Sequence, residues 1–197
     1  MNHELAEQYQ NAFEFVQKVF YETSYLIKEI EGILQQEEEQ FVIGRPSGYQ
    51  VTTRTSTGLE SINVEYWQPK TFTIFFCPRN RITSEGGITR TVFHDSLKLL
   101  IVHIELLGKN LTTPKILCGC LEKITCKKPE KIKKFENIFV KFAYQPQRIF
   151  GSFPNVSYTD TDCSFEGTFF EEPLFSINSS DDVMKKLVQR MLHVYRQ

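Results

Sequence analysis

The first forty residues carry one repeating pattern. Apolar or small residues recur at Leu5, Tyr9, Ala12, Val16, Val19, Leu26, Ile30 and Ile33, with Thr23 in the one polar slot of the row. The spacing alternates between four and three, which marks one face of an α-helix. A second row, Phe13, Phe20, Ile27 and Leu34, runs beside it at intervals of seven. Together the rows make a stripe wider than a coiled-coil seam, which suits a helix lying across a sheet. No Pro falls in residues 3–40 and the only Gly there is Gly32, so one helix over that range is predicted.

Such a helix is long for its body. About 36 residues at about 1.5 Å each reach roughly 54 Å, whereas a compact chain of this size is about 42 Å across. The helix must bend, with Thr23-Ser24 the weakest stretch, or project at one end. A projecting end with an apolar stripe calls for a partner. Glu37, Glu38 and Glu39 crowd the C-terminal end, so that end is expected to be the exposed, docking one.

After Gln40 the period changes. Gly44, Pro46, Ser47 and Gly48 mark a turn, and Tyr49, Val51, Thr53 and Thr55 then alternate with polar residues. Ile62, Val64 and Tyr66 repeat the alternation, as do Phe72, Ile74 and Phe76, with short turns between. Alternation of this kind predicts an antiparallel meander. Residues 78–90, with Gly86-Gly87, read as a polar loop. Residues 98–107, 115–126 and 135–144 read as strands, and residues 156–177 as two more. The last element opens on Ser179 or Ser180 as a cap, with Asp181 and Asp182 in its first turn and Arg190, His193 and Arg196 late in it. Met184, Leu187, Val188, Met191 and Tyr195 give it one apolar face. The expected fold is α+β: a long N-terminal helix, a mainly antiparallel sheet of about six to eight strands, and a short C-terminal helix. With no internal repeat and no low-complexity linker, residues 1–197 read as a single domain, divided into 1–40 (acidic helix), 41–178 (sheet) and 179–197 (helix).

Composition narrows the function classes. The chain has 197 residues, is 41% hydrophobic and includes 17 Phe, enough for a real core. A net charge of −1 argues against a nucleic-acid binder that is basic overall. The five Cys are odd in number and scattered, and the opening residues are polar and acidic, so the reading is a cytoplasmic protein with reduced thiols. The longest apolar run, at 99–102, is too short to span a bilayer.

Charge is distributed unevenly. Residues 1–40 hold nine Glu against Lys18 and Lys28, a net −7. Residues 109–134 hold eight Lys against Glu122 and Glu130, a net +6. Opposite fields of this kind could meet within the chain, between copies, or on separate partners. Lys127, Lys128, Lys131, Lys133 and Lys134 could take an anionic ligand or a nucleic-acid backbone, although no aromatic residue is interleaved among them for stacking. Arg79, Arg81 and Arg90 flank Gly86-Gly87 and could likewise hold an anion. Both groups fit solvated loops equally well.

Catalytic motifs are missing. The chain has no phosphate-binding Gly-x-x-x-x-Gly-Lys, no dinucleotide glycine fingerprint, no His-Glu-x-x-His, no Gly-x-Ser-x-Gly, no Cys-x-x-Cys and no Glu-x-Lys. No cofactor is therefore expected. Three weaker constellations remain. His103 and Glu105 share a face of the most apolar strand and would suit a base and its orienting partner, or a polar pair at a strand end matched with a neighbour such as Lys123. Cys118, Cys120 and Cys126 share one parity on an uninterrupted strand, so they could contribute to a zinc site completed by His94, His103, Cys77 or Cys163; buried apolar thiols explain them as well. Asp160, Asp162, Ser164, Glu166, Thr168 and Glu171 fall at the ligand positions of a calcium loop, but Phe165 stands where the loop needs Gly.

The functional expectation is a non-enzymatic binding or regulatory module. Its acidic helix docks a protein partner or a second copy, and its basic loops take an anionic ligand. The alternatives are an enzyme built on His103 and Glu105 acting on a phosphorylated substrate, and a nucleic-acid-binding accessory protein.

Overall fold

The computed structural model describes residues 3–43, 71–85, 88–91, 96–107, 112–126, 138, 141–142 and 146–197. The strands expected at 49–55 and 62–66 lie outside these residues. The described elements are helix α1 (His3–Leu34), strands β1 (Phe41–Ile43), β2 (Thr71–Pro78), β3 (Ile82–Glu85), β4 (Ile88–Thr91), β5 (Leu99–Glu105) and β6 (Lys115–Cys126), a short helix α2 (Pro146–Ile149), then β7 (Asn155–Thr159) and β8 (Cys163–Pro173). A C-terminal helix, α3, is α-helical over Ser180–Asp182, π-helical over Val183–Val188 and α-helical again over Gln189–Arg196. The fold is α+β.

Six strands form one antiparallel sheet in the order β1-β2-β5-β6-β8-β7. β5 lies near its middle and is buried on both faces from Leu99 to Ile104, which is why it reads as a continuous apolar run. Alternate side chains divide between two cores. On one face Phe72, Ile74, Phe76, Leu100, Val102 and Ile104 pack under α1 and α3. On the other, Phe75, Leu99, Ile101, Leu121, Phe165 and Phe169 pack with Ile138, Phe142 and Ile149.

Four expectations are corrected. Residues 78–90 are not a plain loop: Arg79–Arg81 form a 3-10 turn and β3 pairs with β4 as a separate hairpin. In the strand expected at 135–144, the described residues Ile138, Lys141 and Phe142 have helical backbone. Ile138 and Phe142, four apart, both drop into the second core, a spacing that a strand and a helix share, which is why the apolar pattern there also fits a strand. Helix α1 ends at Leu34 instead of Gln40. Residues 35–40 make tight turns, with Gln36 N–H on the Ile33 carbonyl at 3.0 Å and Gln40 N–H on the Glu37 carbonyl at 2.9 Å, and Gln40 is left-handed at φ 48°. Three consecutive glutamates are poorly placed at the negative end of a helix dipole.

The fourth correction concerns which end of α1 is covered. Ile30 and Leu34 are fully buried, and Glu37 is tied to Arg196 of α3 at 2.8 Å. The glutamate-rich end is therefore the anchored one. The opposite end is exposed: from Glu4 to Phe15 every residue faces solvent. Only a short turn joins Leu34 to β1, an edge strand of the sheet, so this end of the helix has to stay against the sheet.

Candidate functional site

The covered part of α1 shows what its stripe does when supported. Phe20 meets Phe72 of β2 edge-on at 5.8 Å, and Ile27, Ile30 and Leu34 fill the first core. Thr23 occupies its polar slot without penalty, because its hydroxyl donates to the Val19 carbonyl at 2.8 Å. Toward the N-terminus the same stripe continues without cover. Tyr9 is 64% exposed and Phe13 52%, and their rings lie 4.7 Å apart on the helix surface. Leu5 and Phe15 are exposed as well.

Beside this stripe lies a groove of about 770 Å³ between α1, the segment from Leu174 to Ser179, and the start of α3. Its walls are largely apolar, including Val19, Leu26, Phe175 and Ile177. Ser179 caps α3 by accepting from the Asp182 N–H at 3.2 Å, which fixes the groove's far rim.

On the second face of the sheet, β5 brings His103 and Glu105 together as the alternation predicted. His103 is completely buried, with Nδ1 2.7 Å from the Thr73 hydroxyl of β2, its direct cross-strand neighbour. Its Nε2 lies 3.5 Å from Glu105 Oε1 without hydrogen-bond geometry, and the Phe150 ring stands 5.0 Å away. His103 beside Glu105, with Lys115 at 3.7 Å, holds the Glu105 carboxyl below its ordinary value against the opposing effect of burial. The strand-end partner of Glu105 is thus Lys115, which also reaches Glu171 at 3.1 Å; Lys123 pairs instead with Glu166. A general base must touch the proton it removes. His103 has no exposed surface and Thr73 almost none, so the pair has no open route to a substrate.

The cysteines are separated. Cys118 and Cys120 lie buried in the first core, and burial raises both thiols, Cys120 to about 12. Ligation requires the thiolate, so this setting opposes it. The register shifts between Glu122 and Thr125, with Lys123 left-handed at φ 49°, so β6 is not the uninterrupted strand that the shared parity assumed. Cys126 pairs with Cys163 on β8. Among the described residues no group of three or more His, Cys, Asp or Glu is placed to hold a metal ion.

The calcium-loop spacing resolves into a hairpin turn and a strand. Asp160 Oδ1 accepts from the N–H groups of Asp162 and Cys163, each at 2.8 Å, and closes the β7–β8 turn. From Ser164 onward the chain is extended, so Ser164 and Glu171 lie about 23 Å apart at about 3.3 Å per residue and cannot share an ion. Burial alone would raise the Asp160 carboxyl. Lys141 at 2.5 Å, the two N–H groups and the Tyr158 hydroxyl outweigh it and hold the group well below the usual carboxylate range.

Arg79 and Arg81 lie in the 3-10 turn after β2, and Arg90 pairs through its backbone with Thr83 in the hairpin. Lys127, Lys128, Lys131, Lys133 and Lys134 lie outside the described residues. No helix among the described residues is long and apolar enough to cross a membrane. Comparison with models of known families, with curated proteins and with solved structures finds no match to the chain.

Proposed function

We propose that this chain is a non-enzymatic binding module that docks a helical segment of a partner protein on the N-terminal half of α1. The observation that carries this reading is the unbroken apolar stripe. Where the sheet underlies it, the stripe is core; where the sheet stops, the same stripe stands in solvent with Leu5, Tyr9 and Phe13 exposed. An apolar surface that is continuous with a core and rimmed by glutamates is characteristic of an interaction site. The buried position of His103 and Thr73 weighs against catalysis at His103 and Glu105.

The test is a photocrosslinking amino acid placed at Tyr9, at Phe13 and, as a control, at exposed Tyr21, which lies outside both rows of the stripe. A discrete adduct is expected from Tyr9 and Phe13 in the intact cell, none from Tyr21, and none from Tyr9 when Phe13 is also changed to Asp. Equal labelling from all three positions, or none from any, removes the reading.

A further inference from the structure

The groove beside the stripe specifies the chemistry of the partner, and this step rests on the docking function proposed above. Its α1 wall carries Phe15, Val19 and Leu26, and its opposite wall Leu174, Phe175 and Ile177. Two carboxylates, Glu22 and Glu29, line it as well. They lie two turns apart, about 10 Å along the helix at about 1.5 Å per residue. Other carboxylates nearby are already matched: Glu31 with Lys28, Asp181 with Lys185, and Asp182 with Lys186. Among the described residues Glu22 and Glu29 have no ion pair, and Lys18 is the only cation that lines the groove.

The wider surface has the same sign. Glu4, Glu7 and Glu14 precede Glu22 along α1, against a single Lys, Lys18. A second copy docking helix to helix would bring this acidic surface against itself, and an anionic membrane surface would be repelled. The groove floor includes Val183, where α3 turns π-helical, a distortion frequent at functional sites. We infer that the groove accepts a basic amphipathic helix of another protein. Its apolar side chains would enter between Leu26 and Phe175, and two Lys or Arg residues about two turns apart would reach Glu22 and Glu29.

The experiment uses the full chain and three fluorescent peptides of about 18 residues, five helical turns. One has a Leu face and a Lys face, one a Leu face and a Glu face, and one the Leu/Lys composition in scrambled order. Anisotropy titration should show the Leu/Lys helix binding at least about tenfold more tightly than either control, with affinity falling as salt rises. Glu22→Lys with Glu29→Lys should transfer the preference to the Leu/Glu helix, and Phe175→Asp should abolish binding while the circular dichroism spectrum stays unchanged. Equal binding of the scrambled peptide, or a preference that survives the double charge reversal, overturns the basic-partner inference. Two outcomes separate the inference from the docking reading itself. Self-association in sedimentation, lost on Phe13→Asp, would keep docking and replace the basic partner with a second copy. Binding to phosphatidylcholine vesicles, with none to any peptide, would remove both.

Discussion

Tyr9 and Ile27 stand on the same face of α1, five turns apart, yet Tyr9 is 64% exposed and Ile27 only 7%. The relationship extends along the helix. Leu5, Ala12 and Val16 precede Thr23, Ile30 and Leu34 by the same interval. The helix therefore repeats its core-facing pattern once where a sheet underlies it and once where none does. Replacing Ile30 with Ala should cost about 2–5 kcal/mol, because it leaves a cavity in a closed core. Tyr9→Ala and Phe13→Ala should change stability by no more than about 0.5 kcal/mol. Urea denaturation of the three variants checks this, and a large loss at Phe13 would mean that the exposed half is structural.

Gly119 of β6 and Phe169 of β8 are direct cross-strand partners. A Cβ built on Gly119 would lie 2.2 Å from the Thr168 carbonyl oxygen and 2.7 Å from the Phe169 ring. The ring occupies the space that a side chain would need, and the carbonyl cannot withdraw without breaking the ladder. Gly119→Ala should destabilise the protein by about 1–3 kcal/mol through overpacking. Gly32→Ala should be neutral or stabilising, because nothing lies within 4 Å of its added methyl and Ala is the better helix former. Thermal melts of the two variants should therefore move apart.

Much of this fold is legible in the sequence. The stripe on α1, the doubly buried run of β5 and the alternation of β8 each follow from a single period. What is lost depends on contacts between distant residues. The exposed end of α1 cannot be read from Glu37, Glu38 and Glu39, because burial there is set by the short turn into β1 and by Arg196, far along the chain. A tether to an edge strand is a stronger constraint than a run of surface charge. The bulge at Lys123 leaves only a faint trace: Leu121 and Ile124, three apart, both enter the second core, an interval that an uninterrupted strand does not allow. The β3–β4 hairpin did carry a signal, since Gly86-Gly87 between two Ile- and Thr-bearing runs favours a two-residue hairpin turn. His103 and Glu105 share a face as the strand period requires, but the Phe150 ring beside His103 comes from a segment whose position no local pattern fixes.

Thr73 and His103 form a buried polar pair whose energetics can be separated by paired substitution. Thr73→Val preserves shape but leaves Nδ1 of His103 without its hydroxyl partner at 2.7 Å. An orphaned buried group costs about 1–3 kcal/mol. His103→Leu on the same background removes the orphan, so the double variant should be more stable than Thr73→Val alone. If the two losses simply add, the hydroxyl–imidazole contact contributes nothing.

The turn at Asp160 should give the protein an acid-sensitive step. Its folded pKa is depressed, so its stabilising contribution is complete above the unfolded Asp value of about 3.9. That contribution is lost progressively as pH falls toward the lower folded value. Asp160→Asn keeps much of the shape but removes the charge that holds Lys141 and weakens the acceptor for the Asp162 and Cys163 N–H groups. Near neutral pH the substitution should cost about 1.5–3 kcal/mol, the range for hydrogen bonds to a charged group. The difference between the two proteins should narrow below about pH 4, where protonation begins to disable the wild-type carboxylate as well. Urea midpoints measured for both proteins from neutral to acidic pH check the sign. A gap that stays constant with pH would mean that the turn depends on the shape of Asp160 and not on its charge.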